Sequence, residues 1–294
     1  MIRLALRVRR ADAELVLADL LELAPGGVEE VGLGGGEEGS VEYAVYGSPG
    51  ELPDLPDLHA IAGDALVEIS TSEVPDDWSE RWKQFHHPVL LEPPMVDGVQ
   101  SKAPALHVRP PWEAPSVRTG AREIVIDPAQ AFGTGAHATT RMCLQLLLEL
   151  AAVEEGRGAV LDLGSGSGVL AIAAATLGYG PLLALDNDRE SVLASAANAA
   201  VNGVEIDARL FDLRREKLPE SGGAPVPIVL ANLLKPLLIE LADRISLAPR
   251  HLIASGLLSD QASEVAQLFA ERHGLRERRR LEHGEWSALW LSRL

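Results

Sequence analysis

The segment 160–169, VLDLGSGSGV, places a carboxylate, Asp162, two residues ahead of three alternating glycines, Gly164, Gly166 and Gly168. Glycines at this spacing let a chain turn sharply and let a ligand lie against bare backbone. A dinucleotide fingerprint would need its third glycine at position 169, where this chain has Val169. A carboxylate at the end of the preceding strand would also repel a pyrophosphate, whereas it suits a ligand with an ammonium group. S-adenosylmethionine carries an α-amino group, a sulfonium and no phosphate, so the pattern favours it over a nicotinamide dinucleotide. A structural glycine turn with no ligand is the plainer alternative.

Three further positions extend that chemistry. The apolar run LLAL at 182–185 leads into Asp186, 22 residues after Gly164. A carboxylate there can accept both hydroxyls of an adenosine ribose. Asp188 reads better as the N-cap of the next helix. The segment 126–140, IDPAQAFGTGAHATT, has two glycines for a tight loop, and Thr139 or Thr140 to cap the helix that follows. Phe132 is a poor choice for an exposed loop, so it reads as cover over the cofactor, with Thr140 bonding the cofactor's polar end. His137 finds no Cys or His partners at ligand spacing, and no metal is expected. Asn232 ends the apolar run at 229–231, where a methyl-accepting atom would meet the sulfonium. An asparagine can accept a hydrogen bond from an amine there, or equally cap the turn into the next helix.

These residues need a scaffold that brings strand ends together. From residue 122 onward, strands at 123–126, 159–163, 182–185, 227–231, 251–255 and 287–291 alternate with helices at 139–150, 169–177, 189–202 and 236–245. Such alternation predicts an α/β fold with a mostly parallel, doubly wound sheet covered on both faces. Ligands of such sheets bind at the carboxyl ends of the strands, where the residues above fall.

The first 70 residues read differently. Strands at 2–8, 28–33, 41–46 and 65–70, with helices at 11–23 and 55–62, follow the β-α-β-β-α-β order of a ferredoxin-like α+β module. Residues 71–90 form a linker with a short helix, in which Trp78, Trp82 and Phe85 recur at helical spacing as a packing stripe. The proline-rich stretch 88–115 is expected to be mostly irregular. The predicted division is thus 1–70, 71–90 and 91–294.

Composition excludes several other classes. A chain of 294 residues, 47% hydrophobic and 23% charged, suits two globular domains. The net charge of −17 argues against nucleic acid or an anionic membrane as the main partner. One cysteine, Cys143, rules out a disulfide framework within the chain. Arg3, Arg7, Arg9 and Arg10 break any signal-like apolar run, and no stretch approaches the ~18 apolar residues of a membrane span. A cytoplasmic protein is expected. Residues 1–70 hold four Arg, no Lys and fourteen Asp or Glu, so they carry ten of the seventeen excess negative charges.

The motifs LDLGSGSGVLAIAA, AFGTGAHATT and ANLL, with DWSERWKQF before them and GEWSALWL after, resemble the ribosomal protein L11 lysine methyltransferase (PrmA) family over residues 77–291. The resemblance implies a class I S-adenosylmethionine-dependent methyltransferase domain behind a small domain that recognises the ribosomal protein. It implies cofactor contacts at Thr140, Gly164, Asp186 and Asn232, beside Phe132, Asp162 and Gly166 from the residue patterns. The expected activity is N-methylation of lysine or α-amino groups of a basic large-subunit ribosomal protein, with Asn232 orienting the amine. Alternatives are a methyltransferase of the same fold acting on another protein lysine or a small-molecule amine, and a non-catalytic binding module.

Overall fold

The computed structural model describes residues 2–24, 28–31, 39–47, 52–73, 86–96, 98–128, 137–153, 157–218, 227–246 and 248–293. They belong to two compact units, Met1–Phe85 and His86–Leu294.

The first unit runs β1 (Ile2–Arg9), α1 (Ala13–Leu23), β2 (Glu29–Val31), β3 (Ser40–Gly47), α2 (Leu55–Ala62) and β4 (Leu66–Glu73). Its sheet is antiparallel with the order β2-β3-β1-β4. Side chains alternate along β1, so Leu4, Leu6 and Val8 face one way and pack with Val16, Leu20 and Leu58 from the helices. Arg3 and Arg7 face the other way and share Glu42 on β3, at 2.6 and 3.1 Å. The predicted order of elements is the one observed, although β4 continues three residues beyond position 70. The linker helix expected around Trp78, Trp82 and Phe85 lies outside the described residues.

The second unit begins with β5 (Val89–Leu91), β6 (Met95–Val96), β7 (Val99–Gln100), β8 (Leu106–Arg109) and β9 (Arg122–Val125). It continues with α3 (Ala138–Val153), β10 (Val160–Leu163), α4 (Val169–Thr176), β11 (Leu182–Asp186), α5 (Arg189–Val201), β12 (Asp207–Leu210) and β13 (Ile228–Asn232). It closes with α6 (Lys235–Arg244), β14 (His251–Leu258), α7 (Ala262–His273), β15 (Arg276–His283) and β16 (Trp286–Ser292).

The main sheet has the order β12-β11-β10-β13-β14-β16-β15. Its first five strands are parallel, β16 runs against them, and β15, antiparallel to β16, runs with them again. The central strand β10 is buried throughout, which is why it reads as an unbroken apolar run apart from Asp162. On one face Leu144, Leu147, Leu148, Leu170 and Ile172 of α3 and α4 pack against Val160, Leu230 and Ile253. On the other, Leu238, Leu241, Val265 and Phe269 of α6 and α7 pack against Leu161, Val229 and Leu252.

The stretch 88–115 is mostly irregular, as expected, but two sets of strands escaped the sequence patterns. The stretch 88–115 holds four strands, β5 to β8, and β5-β8-β9 forms a small sheet of its own. Prolines 88, 93, 94, 104 and 110 cut this stretch into pieces of two to four residues, too short to show a period. The edge strands β12 and β15 also escaped the pattern analysis. Their residues are largely exposed, so polar side chains such as those of RERRRLEH replace apolar alternation. No helix among the described residues is long and apolar enough to cross a membrane.

Candidate active site

The site follows from strand register. Leu163 on β10 is level with Leu185 on β11 and Ala231 on β13. Asp186 and Asn232, each one residue further, therefore flank the turn that starts at Gly164. This is the carboxyl edge of the sheet, where ligands of doubly wound folds bind.

The glycine turn is held mainly by backbone. Gly164 donates to the Leu185 carbonyl at 2.8 Å, and Gly166 donates to Asp186 Oδ2 at 2.8 Å. The φ angles at Gly164, Gly166 and Gly168 are 70°, 52° and 80°, in the left-handed region. Gly164 also answers to the protein itself: a Cβ there would lie 2.5 Å from Leu233 Cδ2. A Cβ on Gly256 would lie 2.6 Å from the Leu233 carbonyl oxygen. Two glycines distant in sequence thus make room for Leu233, the residue after Asn232.

Two carboxylates border the turn. Asp186 ends β11 with Oδ2 on the Gly166 amide and Oδ1 on the Asp188 amide at 3.0 Å. Burial raises its pKa, against the pull of those amides. Each of its oxygens keeps a second lone pair, enough for two ribose hydroxyls. Asp162 is 1% exposed, and its Oδ2 accepts the Ala171 amide at 3.1 Å. Burial pushes its pKa up to about 7, with the nearby Asp186 charge adding to the effect. Asp162 Oδ1 is buried with no hydrogen-bond partner among the described residues. Asp188 caps α5 as expected, accepting from Glu190 and Ser191 amides.

Thr140 and Asn232 meet across the site, Asn232 Nδ2 donating to Thr140 Oγ1 at 3.3 Å. Thr140 is 1% exposed. Neither it nor Thr139 caps α3, contrary to expectation, because the helix begins at Ala138 and includes both. The cap is His137. Its Nδ1 accepts the Thr139 amide at 3.4 Å and lies 2.8 Å from the Thr139 hydroxyl. Burial depresses the imidazole pKa, which keeps that nitrogen an acceptor. The ring also meets Trp286 edge-on at 5.5 Å, tying this end of α3 to β16. Phe132 lies outside the described residues.

Sequence reasoning overlooked Ser195 and Asn198 on α5 and Asn202 at its C-cap. Asn198 bonds the Ser167 carbonyl at 2.9 Å and Ser195 bonds the Gly166 carbonyl at 2.9 Å. The available signal was three polar residues at i, i+3 and i+7 in an alanine-rich helix, a spacing that puts them on one face.

The arrangement fits S-adenosylmethionine. A buried carboxylate oxygen with no donor among the described residues suits an ammonium, while two carboxylates close enough to perturb each other would repel a pyrophosphate. The sheet order and this site define a class I S-adenosylmethionine-dependent methyltransferase.

Comparison with known proteins narrows the class. The family model for ribosomal protein L11 methyltransferase (PrmA) matches residues 58–293. A ribosomal protein L11 methyltransferase of Syntrophotalea carbinolica is 38% identical over 232 residues, 76% of this chain and 70% of that protein. One from Symbiobacterium thermophilum is 34% identical over 255 residues, covering 86% and 78%. Against relatives from Heliobacterium modesticaldum and Geobacter sulfurreducens, the match spans only 63% and 65% of their length. The crystal structure of ribosomal protein L11 methylase from Lactobacillus delbrueckii subsp. bulgaricus superposes with a TM-score of 0.55 at 32% identity, covering 66% of this chain and 96% of that one. The chain belongs to the ribosomal protein L11 methyltransferase (PrmA) family.

Proposed function

We propose that this protein transfers methyl groups from S-adenosylmethionine to lysine or α-amino groups of ribosomal protein L11. The observation that carries the proposal is Asn232, held by Thr140 at the strand edge beside Asp162 and Asp186. S-adenosylmethionine supplies an electrophilic methyl group on a sulfonium leaving group. The protein's task is to present a neutral amine in line with it. With Nδ2 engaged by Thr140, Asn232 offers Oδ1 to an amine N–H and so aims the nitrogen lone pair. Drawing a lysine out of water lowers its pKa and raises its neutral fraction, so no strong general base is required. Asp186 accepts the ribose hydroxyls, Asp162 faces the ammonium, and Phe132, Gly164 and Gly166 line the cofactor.

The segment 1–70 serves as the substrate recogniser, with residues 71–90 as linker to the methyltransferase domain at 91–294. Of its four arginines, Arg3 and Arg7 are paired with Glu42 and Arg9 with Asp12, while Asp54, Asp57 and Asp64 are exposed. The surplus of carboxylates suits a basic ribosomal protein and disfavours direct nucleic-acid contact. The protein works in the cytoplasm, where free ribosomal protein is found.

The decisive test is methyl transfer from labelled S-adenosylmethionine to purified ribosomal protein L11, with mass spectrometry of ribosomal proteins from cells with and without the gene. Methylated L11 only when the gene is present is the expected result. Labelling of another protein instead would overturn the substrate, and no labelling at all would overturn the activity.

A further inference from the structure

Helix α5 turns Ser195, Asn198 and Asn202 toward backbone rather than solvent. Ser195 is fully buried, and its hydroxyl donates to the Gly166 carbonyl at 2.9 Å. A hydroxyl has one proton, so the 3.1 Å contact with Ser165 Oγ is a bond that Ser195 accepts. Asn198 Nδ2 donates to the Ser167 carbonyl at 2.9 Å and to the Asp127 carbonyl at 3.3 Å, while its Oδ1 accepts the Asp127 amide at 3.0 Å. One turn on, Asn202 exchanges the same pair of bonds with Val125, at 2.8 and 2.7 Å.

The two asparagines act as a substitute strand. β9 is the edge of its small sheet, pairing with β8 on one side only. Successive backbone groups of a strand point to opposite sides, so Val125 and Asp127 offer their N–H and C=O on the side away from β8. A carboxamide carries both a donor and an acceptor, as a peptide group does, and can complete that ladder. The second bond of the Asn198 amide reaches into the glycine turn, whereas that of the Asn202 amide stays within the helix end, on the Asn198 carbonyl at 2.7 Å.

We propose that Ser195 and Asn198 are positioning residues for the cofactor: they hold the Gly166 and Ser167 peptides of the glycine turn, and with them Asp186, in register with the strand exit at Asp127. The proposal rests on assigning this turn to S-adenosylmethionine. Gly166 has no side chain to restrict its backbone. The two peptides that flank it are each tethered, the one carrying its N–H by Asp186 and the one carrying its carbonyl by Ser195. Releasing the carbonyl frees the 166–167 peptide and with it the Gly166 backbone that holds the preceding amide on Asp186, so a change on α5 reaches a residue that meets the ribose.

Calorimetric titration of S-adenosylmethionine into four proteins tests this: wild type, Asn198→Ala, Asn202→Ala and Ser195→Ala. Asn198→Ala and Asn202→Ala each remove bonds to β9, and both should lower the melting temperature by a few degrees. Of these two, only Asn198→Ala should weaken the cofactor, by about tenfold, with a matching rise in KM for S-adenosylmethionine and little change in kcat. Ser195→Ala, the mildest change, should weaken binding about threefold or more at near-normal stability. Equal losses of affinity in Asn198→Ala and Asn202→Ala would reduce both to general stability and overturn the proposal. Wild-type affinity in Ser195→Ala and Asn198→Ala would overturn it too. Failure of the wild type to bind would instead refute the assignment of the turn.

Discussion

Asn232 and Thr140 lie 92 positions apart in the chain, yet the amide of one donates to the hydroxyl of the other at 3.3 Å. The bond joins the end of β13 to the first turn of α3 and decides which end of the carboxamide stays available. If that orientation aims the amine, Asn232→Ala should lower kcat for methyl transfer on the order of 100-fold. Thr140→Val, nearly isosteric, should lower it about tenfold by releasing the amide. Both should leave the melting temperature within a few degrees, since neither empties the core. Wild-type kcat in Asn232→Ala, measured with saturating substrates, would remove Asn232 from the mechanism.

Asp186 supports the turn, and in the proposed function it also holds the ribose. In Asp186→Asn, one end of the side chain becomes a donor facing the Gly166 or Asp188 amide, which are donors themselves. The variant should bind S-adenosylmethionine at least tenfold more weakly and lose about 1–3 kcal/mol of stability. Calorimetry and urea unfolding read the two effects separately. Undiminished cofactor affinity would break the link between Asp186 and the ribose.

Asp162 makes a pH prediction with a definite sign. Its folded pKa is raised to about 7 from an ordinary 3.8. Between those values the folded chain keeps a proton that the unfolded chain has lost, so this residue's contribution falls as pH rises from about 4 to 7 and is flat above. Asp186 shifts in the same direction, and the lowered Glu42 and Glu123 oppose it. The comparison with Asp162→Asn isolates the single residue. The variant should gain relative to wild type as pH rises over that window, by at most ~4 kcal/mol. Parallel urea midpoints for the two proteins from pH 4.5 to 8 would contradict the burial argument.

The acidic first unit predicts a salt effect. Affinity for ribosomal protein L11 should weaken severalfold between about 50 and 500 mM salt, because exposed charges are screened over such a range. Replacing the exposed Asp54, Asp57 and Asp64 by Asn should slow association more than it speeds dissociation. Affinity for S-adenosylmethionine in the same protein should be unchanged. Salt-independent binding would assign recognition to something other than charge.

How much of the site could be read in advance depended on how local each signal was. The turn at Gly164, the carboxylate ending β11 and the asparagine ending β13 are each written in fewer than ten consecutive residues, because an apolar run followed by a polar stop marks the end of a buried strand. The cap on α3 was misassigned to threonine because histidine is not a usual N-cap. The strands at 88–109 and the edges β12 and β15 were hidden for a similar reason. Pieces of two to four residues, or strands with wet faces, carry too little periodicity.

Residue types and their spacing alone thus determined the α/β class, the glycine turn, the carboxylates at its rim and the uneven placing of charge. These depend on backbone conformation and burial within single elements, which side-chain patterns record directly. Tertiary structure alone decided that Leu233 is seated against Gly164 and Gly256, that Thr140 meets Asn232, and that Ser195 and Asn198 hold the glycine turn. Each of these joins segments separated by roughly twenty to ninety residues. The parallel register of β10, β11 and β13 brings them together, and no pattern within one segment can encode a register shared by three.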